Sequence, residues 1–344
     1  MPTNGAVNGA DRAGTDIQAG PAANGAEGSN APEPHAAGDV ASVPGTPTTA
    51  QPTVEPHGAG ERAANGALTS AAKTSRAGRN LPAAIGVAVV LGAVILVTLL
   101  TVRQVFIGVV AAAVAVSTIE LAGAFRRSAK NIQVALIPVL VGGQAMVWLS
   151  WVWRTEGILA GFVLTMLACL AWRFRGGSEG YLRDVTASIF TAAYVPLFAS
   201  FAAMLVEPQD GTARVLCFMI VVVCSDTGGY VAGVLFGKHP MAPSISPKKS
   251  WEGFAGSMLA GCVAGALAMA LLLHAHWWLG LPFGAAIVLT ATGGDLTESL
   301  IKRDLGIKDM GNLLPGHGGL MDRMDSLLPS AVVSWVLLSL LLPV

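Results

Sequence analysis

Long apolar runs separated by short polar segments occupy the chain from residue 81 onward. Each run is about 17 to 25 residues long, the length that an α-helix needs to cross roughly 30 Å of hydrocarbon. Nine runs lie at 81–102, 104–124, 132–153, 157–174, 187–206, 213–236, 253–275, 281–297 and 327–343. The pattern predicts an all-α, polytopic integral membrane helical bundle with about nine transmembrane helices.

The first part of the chain has a different character. Residues 1–78 are rich in Ala, Gly, Pro, Asn and Thr, and they show no apolar periodicity. Such a segment cannot bury enough apolar surface to offset its conformational entropy. We expect residues 1–78 to be a disordered N-terminal tail rather than a secretory signal, which would begin with a short charged region and an apolar stretch. Residues 79–344 would form the transmembrane domain.

Composition agrees with a membrane protein. Of the 344 residues, 53% are hydrophobic and only 12% are charged, and the formal net charge is zero. The four cysteines, Cys169, Cys217, Cys224 and Cys262, lie singly inside apolar runs. They lack the paired short spacings of a zinc site or a disulfide framework, so we interpret them as packing residues.

Lysine and arginine residues indicate the orientation of the helices, because cytoplasmic loops carry an excess of both. They collect before the first run, and after the second, fourth and sixth runs: Lys73, Arg76, Arg79, Arg126, Arg127, Lys130, Arg173, Arg175, Arg183, Lys238, Lys248 and Lys249. The loops between are short and poor in cations. We therefore expect the N-terminus and alternate loops, including the one after the eighth run, to lie on the cytoplasmic side of the cell membrane.

A charged segment at 295–325 contrasts with the apolar sequence around it. It contains Asp295, Glu298, Lys302, Arg303, Asp304, Lys308, Asp309, His317, Asp322, Arg323 and Asp325. On helices, Asp295 and Glu298 would share one face, and so would Asp322 and Asp325. Mg²⁺ takes oxygen ligands, and Lys or Arg neutralises phosphate charge. The segment is therefore typical of a site for a metal ion and phosphate groups, with a merely solvated loop as the alternative.

Between the two carboxylate pairs, the sequence Leu-Leu-Pro-Gly-His-Gly-Gly at 313–319 cannot form a regular helix, because glycines and a proline interrupt it. It predicts a tight loop in which backbone N–H groups approach a ligand.

A second candidate site begins at Asp226, inside the sixth apolar run. A carboxylate there is costly unless it is paired or faces a wet cavity, so Asp226 is a functional candidate, with a structural hydrogen bond between helices as the alternative. Gly228, Gly229 and Gly233 follow it and permit close helix approach. The next loop reads Ser-Pro-Lys-Lys-Ser-Trp-Glu-Gly at 246–253, and its paired lysines suit a polyphosphate.

These segments resemble the phosphatidate cytidylyltransferases, the CDP-diacylglycerol synthases. The resemblance rests on Ser299-x-x-Lys302-Arg303, Lys308-Asp309, Pro315-Gly316-His317-Gly318-Gly319 and Asp322-Arg323-x-Asp325. Asp226-Thr227-Gly228 is similar to the family's Asp-(Ser/Thr)-Gly segment. Residues 246–253 are similar to its Ser-Pro-Lys-Lys-Thr-Trp-Glu-Gly element, with Ser250 where Thr is common.

The resemblance implies transfer of CMP from CTP to phosphatidate, which yields CDP-diacylglycerol and pyrophosphate in phospholipid biosynthesis. The transmembrane domain, residues 79–344, would then be catalytic. Its partners would be CTP, phosphatidate and the lipid bilayer, and its cofactor Mg²⁺, alone or with a second cation. We expect no nucleic-acid partner. Whether the protein forms a homodimer is left open.

Site residues follow from the same resemblance and from the charges. We assign metal binding chiefly to Asp295 and Asp322, and name Asp226, Glu298 and Asp325 as further ligand candidates. The expected catalytic residues are Asp295, Lys302, Arg303, Lys308, Asp309, His317, Asp322, Arg323 and Asp325. The expected substrate-binding residues are Lys248, Trp251, Glu252, Ser299, Gly318 and Gly319. Spacing does not decide which cation meets which phosphate.

Two other functions remain open. A membrane lipid kinase that uses a nucleotide would also need a metal ion, a nucleotide and a lipid. A cation transporter could use Asp226 and Asp295 as an ion path. A transporter would have no need for the cluster of Lys and Arg residues or for the Gly-His-Gly-Gly loop.

Overall fold

The computed structural model describes residues 81–313 and 318–342. The predicted tail at 1–78 lies outside the described residues. The described part is a helical bundle. Its ten α-helices are α1 Leu81–Thr101, α2 Arg103–Arg127, α3 Leu136–Arg173, α4 Tyr181–Ala192, α5 Phe198–Leu205, α6 Gly211–Phe236, α7 Trp251–Leu271, α8 Gly280–Leu305, α9 Met321–Met324 and α10 Leu327–Leu341. Short 3₁₀ turns at Phe174–Gly176 and Trp277–Leu279 flank α3 and α8.

Helix α3 combines the third and fourth predicted spans. The backbone at Arg154 has φ 49° and ψ −129°, which is not helical. Positions on either side of this break pack against each other, since an added Cβ at Gly161 would lie 2.8 Å from Met146 Cγ, and one at Gly142 would overlap Thr165. The chain therefore folds back on itself near Arg154.

The fifth predicted span is also interrupted. A π-helical segment, Ala193–Leu197, joins α4 to α5 and contains Pro196. Proline removes one helical hydrogen bond, and a wider turn accommodates its ring. The three pieces together form one apolar stretch, Tyr181–Leu205.

Seven helices in the described part are long and apolar enough to cross a membrane. They are Arg103–Arg127, Leu136–Gly176, Tyr181–Leu205, Gly211–Phe236, Trp251–Leu271, Trp277–Leu305 and Met321–Leu341. A shorter apolar helix covers Val89–Thr101. The all-α bundle is thus confirmed, whereas the count of nine crossings is not.

A two-stranded antiparallel hairpin between α6 and α7 was not predicted. It pairs β1, Pro240–Ala242, with β2, Ser246–Ser250. Ser250 then caps α7, because its hydroxyl accepts the N–H of Gly253 at 3.1 Å. The hairpin holds Lys248 and Lys249 at the start of α7.

Small residues bring α6, α7 and α8 close together. A side chain at Gly228 would overlap Ala260 of α7, and one at Gly229 would overlap Ser257. Between α7 and α8, a side chain at Gly284 would overlap the backbone at Gly261. Backbones can approach this closely only where side chains are absent or small. The close approach predicted from Gly228 and Gly229 is confirmed. It places the carboxylate of Asp226, on α6, near α8.

A buried ion cluster supports the start of α4. The carboxylate of Asp184 is 1% exposed and lies 2.6 Å from Arg173 and 3.0 Å from Arg183. It also accepts the backbone N–H of Gln133 at 3.1 Å. The arginines that served as orientation signals in the sequence therefore also neutralise a buried charge.

Candidate active site

A cavity of about 600 Å³ lies among α6, α7, α8, strand β2 and the segment around α9. Its charged lining residues are Asp226, Lys248, Lys249, Asp295, Lys302, Asp309, Asp322, Arg323 and Asp325. Hydroxyl groups are supplied by Ser225, Tyr230, Ser250, Ser257, Thr292 and Ser326. The two polar regions that the sequence separates therefore meet in one place.

Helix α8 carries charged side chains into this cavity at helical spacing. Asp295 lines it and pairs with Lys249, the two side chains lying 2.6 Å apart. Glu298 lies one turn further along the helix and is fully buried. Lys302 follows after another turn and again lines the cavity. The predicted helix across the first carboxylate pair is confirmed.

Lys302 joins two acidic side chains from different segments. Its Nζ lies 2.6 Å from Glu298 Oε2 and 3.0 Å from Asp322 Oδ1. The lysine side chain is 18% exposed, while the side chains of Glu298 and Asp322 are 0% and 5% exposed. One cation thus stands between two carboxylates that have almost no access to water.

Asp322 organises the loop that precedes it. Its carboxylate accepts the backbone N–H of Met310 at 3.1 Å and that of Gly319 at 2.8 Å. Gly318 has φ +82°, a left-handed conformation that favours glycine. A Cβ there would also lie 3.1 Å from Asp322 Oδ2. In this conformation the N–H of Gly319 therefore serves Asp322 rather than a nucleotide.

Glu120 of α2 supports the same loop from the opposite side. Its Oε2 accepts the backbone N–H of Met321 at 2.8 Å. Side chains at Gly311 or Gly319 would overlap this carboxylate. Seven residues along α2, Arg127 donates to the carbonyl oxygen of Met310 at 2.6 Å. One face of α2 thus contacts the segment before Asp322 at Met310 and at Met321.

Asp325 reaches the cavity because α8 approaches its backbone closely. A Cβ at Gly294 would overlap the carbonyl oxygen of Asp325. One oxygen of the Asp325 carboxylate accepts the N–H of the following residue, Ser326, at 2.7 Å. Asp295 lies near enough to both Asp226 and Asp325 for their negative charges to interact. The cavity therefore holds several acidic side chains whose negative charges repel one another.

Comparison with known proteins decides the family. The model of the Cytidylyltransferase family matches residues 82–341. The chain belongs to this family. The phosphatidate cytidylyltransferase of Mycobacterium leprae is 51% identical over 288 residues, which cover 79% of this chain and 92% of that protein. The protein of that name from Mycobacterium bovis is 50% identical over 295 residues, 82% of this chain and 96% of the relative.

A more distant relative shows the same family. The phosphatidate cytidylyltransferase of Staphylococcus epidermidis strain RP62A is 33% identical over 194 residues. These cover 56% of this chain and 72% of that protein.

Eight of the seventeen residues predicted for the site line the cytidylyltransferase cavity. Glu298 lies behind Lys302 rather than on the cavity wall. The other predicted residues not among the lining side chains are Trp251, Glu252, Ser299, Arg303, Lys308, Gly318 and Gly319. His317 lies outside the described residues, as do the neighbouring Pro315 and Gly316.

Two of these residues have other contacts. Trp251 is 56% exposed and stacks edge-on against Phe254. Glu252 lies 2.5 Å from His239 Nδ1 and accepts the backbone N–H groups of Lys238 and His239 at 3.2 Å. Glu252 thus ties α7 to the turn that follows α6.

The sequence missed some residues of the cytidylyltransferase site and part of the role of others. Lys249 was predicted only as one of two paired lysines suited to a polyphosphate, and its pairing with Asp295 depends on a contact between distant segments. Tyr230 follows Asp226 by one helical turn, a signal that could have been used. Glu120 lies near a helix end, and its sequence surroundings gave it no role. Only the packing of α2 against the loop reveals what it does.

The donor groups of the cavity suit a hard divalent cation, which prefers oxygen ligands. Within residues 81–313 and 318–342, no group of three or more His, Cys, Asp or Glu side chains is placed to hold a metal ion. Asp322 is engaged by Lys302 and backbone N–H groups, and Asp295 by Lys249. The carboxyl group of Glu298 is buried and lies next to that of Asp325. The donor chemistry fits such a cation, and Asp295 is at the same time paired with Lys249 through Oδ2.

Proposed function

We propose that the protein transfers CMP from CTP to phosphatidate, forming CDP-diacylglycerol and pyrophosphate. The observation that carries this proposal is the cavity, in which five carboxylates and four cationic side chains meet among apolar helices. Two polyanions need cations for binding, and a lipid substrate needs a site beside the bilayer. The names of the relatives support the same reaction.

The reaction requires positioning more than proton transfer. The attacking group is a phosphomonoester oxygen of phosphatidate, which is already anionic at neutral pH, so no strong general base is needed. The oxygen attacks the α-phosphorus of CTP, and the bond to the β-phosphate oxygen breaks as pyrophosphate leaves. Holding both reactants in line and neutralising charge on the phosphoryl oxygens supply most of the catalysis in such transfers.

The cationic side chains of the cavity would have different roles in binding phosphate and in holding the acidic groups. Lys248 and Arg323 line the cavity and are our candidates for phosphate contacts. Lys249 also lines the cavity, paired with Asp295, and is a further candidate for a phosphate contact. Lys302 is engaged with Glu298 and Asp322, so its first role is to hold the buried acidic groups in place.

We propose that Asp226, Asp295 and Asp325, which line one cavity and have oxygen donors, would hold Mg²⁺ once their carboxylates converge on it. When bound, the ion would neutralise charge on the triphosphate and on the leaving pyrophosphate. Glu298 and Asp322 would support these ligands through Lys302. A second cation remains a prediction.

We also propose that the cavity faces the cytoplasm and that the protein resides in the cell membrane. The distribution of Lys and Arg supports this orientation, because loops on one side carry the excess. A Lys238→Cys variant should react with a membrane-impermeant thiol reagent only after cells are permeabilised. Labelling in intact cells would show that the orientation is the opposite of the one proposed.

The homodimer also remains a prediction, which light scattering of the purified protein would test.

The decisive assay uses purified protein with cytidine-labelled CTP, MgCl₂ and phosphatidate. A lipid-soluble cytidine product and an equal amount of pyrophosphate are expected. A lipid kinase would instead release a nucleoside diphosphate, and a transporter would move ions across proteoliposomes without either product. Absence of both the lipid product and pyrophosphate would refute the synthase.

A further inference from the structure

A second cavity lies beside the polar one, and its lining is mostly apolar. It has a volume of about 150 Å³ and is lined by side chains of α1, α2, α5, α6 and the segment from Leu320 to Ala331. Phe106, Phe218, Leu327 and Ala202 are among them. Of the described residues that line it, Arg323 alone is charged. The cavity is therefore an apolar pocket with a single cationic residue in its wall.

Arg323 belongs to the walls of both cavities. On one side of it lie the carboxylates and lysines of the candidate active site, and on the other side lie only apolar groups. A molecule with an anionic end and an apolar chain would satisfy both sides at once. Guanidinium groups bind phosphate strongly, and apolar cavities of about this volume stay dry and accept apolar molecules as large as benzene.

The two cavities also lie in the order that a membrane lipid requires. Helix α6 lines the polar cavity from Ser225 to Gly233 and the apolar cavity from Val215 to Met219. At 1.5 Å per residue, Asp226 and Met219 are separated by roughly 10 Å along the helix axis. The apolar cavity therefore lies further from the loop that follows α6, in the half of the helix that begins at Gly211.

We propose that this apolar cavity binds part of one acyl chain of the phosphatidate substrate, with Arg323 beside its phosphate. The proposal rests on the reaction proposed above and adds a lipid subsite to it. The chain would enter next to Arg323 and run between α2, α5 and α6. Phosphatidate would thus be held at both its polar and apolar ends while its phosphate faces the nucleotide.

The test reduces the space in the apolar cavity and compares two substrates in the same preparation. Ala202→Phe places a ring in the cavity from α5, and Ala113→Leu places a smaller group there from α2. Turnover is measured in detergent micelles with dioleoyl phosphatidate and with dibutyryl phosphatidate, whose chains are too short to fill the cavity. The ratio of the two kcat/KM values does not depend on the fraction of folded enzyme. Ala160→Phe, at an exposed position of α3, is the matched control.

The ratio of dioleoyl to dibutyryl kcat/KM should fall on the order of tenfold in Ala202→Phe, the effect of about two methylene groups excluded from an apolar site. A smaller fall is expected in Ala113→Leu, and Ala160→Phe should keep the wild-type ratio. An unchanged ratio in both cavity variants would refute the acyl-chain site while leaving the synthase reaction standing. Wild-type protein that turns over neither substrate would refute the proposed function itself, and the lipid subsite with it.

Discussion

Replacing Lys302 by Met should destabilise the protein strongly as well as impair turnover. Methionine has nearly the same length but no charge, so the change removes the cation between Glu298 and Asp322. Those carboxylates are 0% and 5% exposed, so they depend on Lys302 more than exposed carboxylates would. Breaking a buried ion pair by removing one member costs about 3–5 kcal/mol. Because a protein of ordinary stability has about 5–15 kcal/mol in total, the loss would be a large fraction.

An exposed ion pair provides the matched control. Lys130 lies 2.6 Å from Asp304, the same distance as Lys302 from Glu298, but the two side chains are 49% and 67% exposed. Exposed pairs contribute about 0–1 kcal/mol. Lys130→Met should therefore leave both stability and turnover near wild type, although it removes a charge at the same distance from its partner.

The assay is unfolding of purified protein in detergent, followed by tryptophan fluorescence, together with the release of pyrophosphate. We expect the thermal midpoint of Lys302→Met to fall by on the order of 10 °C. Turnover should fall about 100-fold, because the loop held by Asp322 would shift. Adding Glu298→Gln to Lys302→Met should recover part of the midpoint, since it removes one unpaired buried charge. Equal midpoints for Lys302→Met and Lys130→Met would refute this account of the buried pair.

Three further changes test the site and the tail. Glu120→Ala should destabilise the protein by about 1–3 kcal/mol and lower turnover, because a buried N–H loses its acceptor, while Glu120→Gln should retain most of both. Gly294→Ala should lower turnover at least about tenfold by pushing α8 away from Asp325, as closely packed sites do not absorb an added methyl group. Gly293→Ala is its control, since no atom lies within 4 Å of the added Cβ. Deleting residues 1–75 should leave turnover largely unchanged.

Denaturant unfolding and the pyrophosphate assay check all three predictions. Equal turnover in Glu120→Ala and wild type would remove α2 from the support of the loop. The same loss in both glycine variants would point to helix propensity rather than to the contact with Asp325. A large loss after removal of the tail would show that the tail takes part in catalysis or in folding.

The sequence alone determined the helical class of the protein and most positions of its helices. Apolar runs of membrane length have few alternatives to helix, because the backbone must satisfy its hydrogen bonds within the segment. The glycines of α6 were predictable for a similar reason, since a side chain there would prevent close contact with α7. The charged segment at 295–325 was also recognisable as a candidate functional site, because charged side chains are costly in an otherwise apolar chain.

Tertiary structure decided how the charges are used. Its spacing marked Asp322 as a metal-ligand candidate, and the structure adds that its carboxylate binds Lys302 and two backbone N–H groups. The role of Trp251 and Glu252 as substrate contacts stays a prediction, while the structure shows Trp251 against Phe254 and Glu252 against His239. Glu120 had no evident role until α2 was seen against the loop. Spacing along one helix fixes which side chains share a face, but it carries no information about which other segment that face will meet.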